Sequence, residues 1–450
     1  MIDRVRRRLL AAIAAGAALA HAPLVRAQQA AKRLRLAATR QSLVGAGNPD
    51  TAVWSYNGTV PGPELRLKQG ERLRIEVENA LGVGSTVHWH GVRLPNAMDG
   101  VPGLTQAPIA PNGGKFVYEF DLPDAGTFWY HPHLGSREQV ARGLYGALIV
   151  EERDPPKVDR DVVWVLSDWR LDREARLVEN FGNPMDSSHA GRIGNTVTVN
   201  GAIRESFAVR AGERIRLRLI NASNARIYAP IFEGHSPRIL ALDGHPVANW
   251  NQRVVLGPGM RADLILDCTG APGSRHRVID DFYAQRAYEV LKLEYSTDKP
   301  LRSAFEPLPR LAPNPLSVPD LGKAERHRIA FGGGMMGALP SQREHKGLFW
   351  TVNGKPLAEH EHHGAPILTL RRGHSYRIEL VNDTAWHHPI HLHGHVFRVL
   401  SADHWADSVL LDPRSRAEIA FVADNPGNWM LHCHVLEHQA SGMMAVVRVA

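Results

Sequence analysis

The chain has 450 residues and a formal net charge of +7, from 53 Lys and Arg against 46 Asp and Glu. Five of those Arg and one Asp fall in residues 1–27, so the remainder is about neutral, which argues against a nucleic-acid partner. No later apolar run is long enough to span a bilayer as a helix, and the length leaves room for two to four domains, each with its own core.

The opening reads as an export signal. Arg6-Arg7-Arg8-Leu9-Leu10 leads into an Ala-rich apolar run from Ala11 to Ala20, and a small-residue site ends at Val25-Arg26-Ala27. The paired arginines before Leu-Leu resemble a twin-arginine signal; an ordinary secretory signal with extra basic residues is the alternative. Either predicts a mature chain starting near Gln28 in a bacterial periplasm.

Beyond the leader the chain repeats itself. Tyr56-Asn57-Gly58 precedes Leu65 to Ile75, Val199-Asn200-Gly201 precedes Val209 to Leu217, and Val352-Asn353-Gly354 precedes Leu370 to Ile378. Each copy is a turn, a strand, a Gly-centred turn and a second strand of alternating polarity. Three copies predict three homologous β-domains, at residues 34–153, 158–297 and 321–450. A Pro-rich connector, 298–320, reads as a semi-rigid spacer or surface strap. Patterns of helical period are scarce, so the fold class is all-β.

The chemistry sits in four short segments: His88-Trp89-His90, His131-Pro132-His133, His388-Pro389-Ile390-His391-Leu392-His393, and Leu431-His432-Cys433-His434-Val435-Leu436-Glu437-His438 with Gly442-Met443. Successive side chains of a strand point to opposite faces, so His432 and His434 share one face and Cys433 takes the other. Thiolate, two imidazoles and a weak axial Met make the ligand set of an electron-transfer copper. Cys433, His438 and Met443 supply three of the four. His388, out of phase with His391 and His393, points away from them and is the fourth. The remaining eight imidazoles are enough for a three-copper cluster. The middle repeat has no such pair; His235 and His245 stand alone there, which predicts a metal-free spacer. With Cys433 wanted as a ligand, a disulfide to Cys268 is not expected, and Cys268 reads as a buried, inert thiol.

These segments resemble the signatures of the multicopper oxidases, the laccase and copper-efflux oxidase family, over essentially the whole mature chain. The resemblance implies three consecutive cupredoxin-like Greek-key β-barrel domains and four coppers per chain. His88 and His391 would hold the type 2 copper; His90, His131, His133, His393, His432 and His434 would hold the type 3 pair, at the interface of the first and third domains. It implies one-electron oxidation of a reductant near an exposed His388, electron flow through Cys433 to His432 and His434, and four-electron reduction of O2 to water. Asp99 matches an acid near the cluster able to relay protons, an Asp-Gly turn being the alternative. Asp407 matches an acid that orients ligand imidazoles, a strand-end Asp being the alternative. Many bacterial relatives follow the His438 position with Glu, whereas this chain has Gln439, which cannot carry a proton as a carboxylate does.

For the reductant, the short turn between Leu400 and Trp405 favours phenols and aromatic amines. Cu(I) is the competitor. Its candidate ligands lie in Gly332-Gly333-Gly334-Met335-Met336-Gly337, His345 and His360-Glu361-His362-His363, with Asp383 close to an acid position of the efflux oxidases. A copper-free scaffold protein and a copper nitrite reductase are the remaining readings. The first conflicts with the complete ligand set, the second with three repeats and a His-Cys-His link.

Overall fold

The structure is a computed structural model that describes residues 32–248, 250–307, 310–337, 347–359 and 365–450. The export signal, His345 and the His360 to His363 cluster lie outside these residues.

Among the described residues six sheets form in three pairs, and no sheet mixes strands from different thirds of the chain. The first pair holds Lys32–Gln41, Thr51–Tyr56, Arg72–Asn79 and Gly114–Asp121 in one sheet, and Gly62–Lys68, His88–His90, Gly126–His131 and Gly146–Glu151 in the other. The second pair runs from Arg160–Trp169 to Tyr288–Tyr295, and the third from Glu325–Gly333 to Met444–Val449. Among the described residues helices are confined to single turns such as Ser136–Gln139, Pro184–Ser188 and Leu436–Ala440. The predicted all-β architecture is the one the chain adopts.

The repeat has a physical basis in each copy. Asn57, Asn200 and Asn353 all take the left-handed conformation, with φ of 55°, 52° and 49°, and each turn is closed by the same narrow bridge, Tyr56 to Thr59, Val199 to Ala202 and Val352 to Lys355. Asn tolerates that region better than other side-chain-bearing residues. The strand that follows alternates as expected in the first copy: Leu73, Ile75 and Val77 are buried between the sheets while Arg74 and Glu76 are partly exposed.

In the second copy that alternation does not mean solvent. Every residue of Arg214–Asn221 is buried, because the outer face of its sheet lies against the first sandwich. Arg216 meets Glu152 at 2.7 Å and Asp263 at 2.6 Å, and Arg218 meets Asp161 at 2.6 Å and Thr127 at 2.9 Å. Buried guanidinium groups persist only when paired in this way. The connector is tied in by Asn314, which donates to the Ala125 carbonyl at 2.9 Å and accepts from the Ala125 amide at 2.9 Å. One continuous apolar cluster joins the interiors of the first and third sandwiches. That contact sets the four His segments face to face.

Candidate metal centre

Strand pairing assembles the site. His88 is in register with His131 in the first sandwich, and His391 with His432 in the third. Ile390 is in register with Cys433, which puts the sulfur on the opposite face from His432. Across the interface the rings interleave: His88 stacks on His393 with centroids 3.9 Å apart, and His90 on His391 at 3.8 Å. Nε2 of His393 and Nε2 of His432 face each other at 3.0 Å.

Six of the eight rings have one nitrogen turned away and held. His88 Nδ1 donates to the Asp99 carbonyl at 2.8 Å, His131 Nδ1 to Pro132 O at 2.9 Å, and His391 Nδ1 to Asp407 O at 2.8 Å. His393 Nδ1 donates to Asp99 Oδ2 at 2.9 Å and His432 Nδ1 to Cys433 O at 2.9 Å. His90 is reversed: its Nε2 donates to Asp407 Oδ1 at 3.0 Å. What remains are His88 Nε2, His90 Nδ1, His131 Nε2, His391 Nε2 and both nitrogens of His434, buried and without a hydrogen-bond partner. Buried nitrogens are ordinarily satisfied. A set of them converging from two domains fits metal cations, with the opposite nitrogens held as the outer partners of metal-bound imidazoles usually are.

The second cluster is smaller. His388 Nδ1 lies 3.4 Å from Cys433 Sγ, His438 Nδ1 lies 3.7 Å from the same sulfur, and the two nitrogens are 3.1 Å apart. His388 Nε2 is bonded to Thr384 Oγ1 at 2.8 Å, and His438 Nε2 donates to the carbonyl of His189 at 2.6 Å. The Val435 amide donates to Cys433 Sγ at 3.4 Å. Met443 is buried, and its carbonyl accepts from the Cys433 amide at 3.1 Å. Trp350 closes over both rings, 5.1 Å from His388 and 4.1 Å from His438.

Electrostatics prepare these groups for a cation. Burial first, then the neighbouring imidazoles, push His90, His131, His393 and His434 well below the usual histidine range. Burial brings His438 down to about 3. These rings are therefore neutral at pH 7 and ligate without losing a proton. Burial raises the Cys433 thiol, so a cation held there would have to displace its proton. Burial also raises Cys268, to about 12, and both cysteines are free thiols.

Two expectations change against this geometry. His388 is not exposed: its accessible surface is 0%, because Thr384, Trp350 and His438 pack around it. The ring nitrogen nearest the outside belongs to His438, capped by His189, a half-exposed residue whose ring meets Trp386 at 5.3 Å. The middle domain is more than a spacer, since it supplies this cap and holds α-turn residue Glu437 through Asn224 Nδ2 at 2.9 Å and the Arg192 amide at 3.0 Å.

Asp99 is buried and binds His88 and His393, as Asp407 binds His90 and His391. Gln439 is buried with its Nε2 on Ser136 Oγ at 3.3 Å. Asp383 is exposed, as are Met335 and Met336 at 42% and 70%. Sequence reasoning missed His189, Thr384, Glu437, Arg261 and Asp243. Only Glu437, one residue before His438, carried a positional signal; the others act from segments with no motif.

Models of the multicopper oxidase family match residues 37–155, 160–276 and 339–450. The chain belongs to the multicopper oxidase family. It is 29% identical to multicopper oxidase MmcO of Mycobacterium tuberculosis, over 89% of this chain and 84% of that one. It is 28% identical to Laccase-1 of Botryotinia fuckeliana, over 86% and 77%. The crystal structure of a multi-copper oxidase from Pseudomonas thermotolerans superposes with a TM-score of 0.83 at 36% identity, covering 93% of this chain and 98% of that one. The sandwiches are therefore cupredoxin-like, and this multicopper oxidase is a copper-dependent oxidoreductase that uses O2 and a reductant. Among the described residues no helix is long and apolar enough to cross a membrane.

Proposed function

We propose that this oxidase takes single electrons from phenols and aromatic amines and reduces O2 to water with four coppers. His388, Cys433, His438 and Met443 would hold the type 1 ion. His88 and His391 would hold type 2, and His90, His131, His133, His393, His432 and His434 the type 3 pair. Bound copper supplies one-electron storage at a site that also accepts dioxygen. One observation carries the reading: Cys433, in contact range of His388 and His438, is bonded in the chain to His432 and His434, which face the other cluster. The two sites are joined through a few covalent bonds.

The chain's own groups do the rest. Asp99 and Asp407 hold ligand rings in one tautomer, and Asp99, bonded to His393 Nδ1, would serve as the acid for proton delivery. The sealed environment of Trp350 and Thr384 keeps water from the sulfur. The reductant side is the face where His189 and Trp386 meet, directly outside His438.

A second reading, cuprous oxidation, is favoured by three exposed thioethers around that same face: Met185 at 63%, Met335 at 42% and Met336 at 70%. Met335 is pinned there by its amide, which donates to Ser188 O at 2.8 Å. Soft sulfur suits Cu(I). Kinetics with Cu(I), a phenol and an aromatic diamine under air decide between them. The phenol and diamine should turn over with the higher kcat/KM; a clear preference for Cu(I) reverses the order. Export to the periplasm belongs to the same proposal and rests on Arg6 to Ala27; a secreted fraction retaining those residues would count against it.

A further inference from the structure

The reversed ring of His90 asks for an explanation, because its five pinned neighbours all turn Nδ1 outward. A ring that donates from Nε2 needs an acceptor beyond its far end. That acceptor is Asp407 Oδ1, and Asp407 is itself held. Arg261, from the second sandwich, spans both its oxygens, with Nη1 to Oδ1 at 2.8 Å and Nη2 to Oδ2 at 2.5 Å. The rest of the guanidinium is committed to the first sandwich and its own loop, Nε to Thr127 O at 3.1 Å and Nη1 to Gly259 O at 3.2 Å. Asp243 completes the frame: Oδ1 accepts the Arg261 amide at 2.9 Å and Oδ2 accepts the Ser408 amide at 3.2 Å. Ser408 Oγ returns to Asp407 Oδ1 at 2.8 Å. Arg261 and Asp407 have no accessible surface and Asp243 has 1%.

An independent detail marks how close the fit is. Gly91 follows His90 at φ +84°, and a Cβ there would lie 2.4 Å from both Arg261 Nη2 and Asp407 Oδ2. Only glycine takes that conformation and that space.

We propose that Arg261, supported by Asp243, is a positioning residue for the trinuclear cluster: by fixing Asp407 it selects which nitrogen of His90 faces the cluster and anchors the backbone carbonyl that holds His391. The inference rests on His90 and His391 being copper ligands. It gives the metal-free middle sandwich a direct hand in the cluster, through a fork geometry that a lysine cannot reproduce. A carboxylate so clamped stays an acceptor, so His90 keeps its proton on Nε2 and offers Nδ1.

The test uses Arg261→Lys, which keeps the charge and loses the fork, with Asp243→Asn as the gentler second variant. Arg416→Lys, at the equivalent register of the third sandwich and exposed, is the control. Copper per chain is measured by elemental analysis after equilibration with a graded chelator, and the visible thiolate band follows the type 1 ion separately. In Arg261→Lys the three cluster coppers should bind about 10- to 100-fold more weakly, the cost usual for losing a group that orients a ligand. The type 1 copper should be unaffected, and Arg416→Lys should match wild type. Nitrogen NMR of the metal-free protein should show His90 as a single Nε2–H tautomer in wild type and a mixture in Arg261→Lys. Unchanged cluster affinity, parallel loss of the type 1 ion, or a retained single tautomer would each overturn the proposal. Should Arg261→Lys fail to fold, Asp243→Asn decides on the same three criteria with a smaller shift. A wild-type protein that never takes up cluster copper would instead sink the ligand assignment itself.

Discussion

The second and third sandwiches share a scaffold and differ in what they hold. Each ends its central strand on an asparagine whose Nδ2 ties down the following turn: Asn221 to Arg226 O and Leu256 O, both at 2.8 Å, and Asn382 to Trp386 O at 2.7 Å and Asp412 O at 2.8 Å. Asn79 does the same in the first, to Val83 O at 2.8 Å and Ile109 O at 3.1 Å. Beyond the turn, the bridges Ser85 to Ile109, Tyr228 to Leu256 and the pair His388 to Leu411 align the three segments. Tyr228 therefore stands where His388 does. Three and five residues on, His88 and His90 match Ile231 and Glu233, and His391 and His393. Between them Trp89, Phe232 and Leu392 all point into their cores.

The difference is what lies opposite. In the first and third sandwiches the His-bearing faces meet and are sealed. In the second that face looks outward, with Ile231 at 40% exposure and Glu233 paired to Arg277 in solvent. The reverse holds on the next strand. Lys115, Arg261 and Arg416 occupy one register, opposite Glu78, Ile220 and Val381. Lys115 and Arg416 make surface pairs while Arg261 is buried on Asp407. A metal site here depends on a face being covered by a sister domain as much as on the imidazoles.

The largest break in this comparison comes from Cys433→Ser, which should abolish the visible copper band and oxidase turnover while circular dichroism stays that of the β-fold. Asp407→Asn comes next. It should weaken cluster copper about 10- to 100-fold in chelator competition and spare the type 1 ion. Trp350→Phe removes the bond from its Nε1 to Ser187 O, 2.6 Å long, that docks the second sandwich over the His388, Cys433 and His438 cluster. A loss of about 1 kcal/mol in urea denaturation is expected.

A smaller effect concerns pH. His245 is buried beside Asn314, and burial lowers it to about 4. A histidine depressed in the folded state binds a proton only on unfolding in this range, so its contribution is full above about 6.5 and is lost as pH falls towards 4. In His245→Gln the slope of metal-free stability against pH should drop by up to about 1.4 kcal/mol per unit in that window. Finally, Ile231→His with Glu233→His recreates the His pair on the uncovered face. Copper content after chelator treatment should stay at the wild-type value; a tightly held additional ion would show that the pair alone suffices.

The parity of His391, His393 and His388 and the His432-Cys433-His434 run were readable because neighbours on one strand obey a period of two. The Asn57, Asn200 and Asn353 turns were readable because their conformation constrains residue type. What covers a site was not. His388 was expected in the open, yet residues Ser187 to His189 and Met335, distant in sequence, close over the His388, Cys433 and His438 cluster. Arg216, Arg218 and Arg261 sit in strands whose polar positions look like solvent faces, and docking brings Glu152 and Thr127 of the first sandwich to Arg216 and Arg218, and Asp407 of the third to Arg261. Local pattern sets which way a side chain points; the partner surface comes from another domain.

The most direct measurement is copper-edge anomalous diffraction from crystals of the fully loaded protein. Four peaks per chain are expected, one enclosed by His388, Cys433 and His438 and three among the eight imidazoles shared by the first and third sandwiches. A single peak, or copper bound in the second sandwich in place of the shared interface, would contradict that assignment.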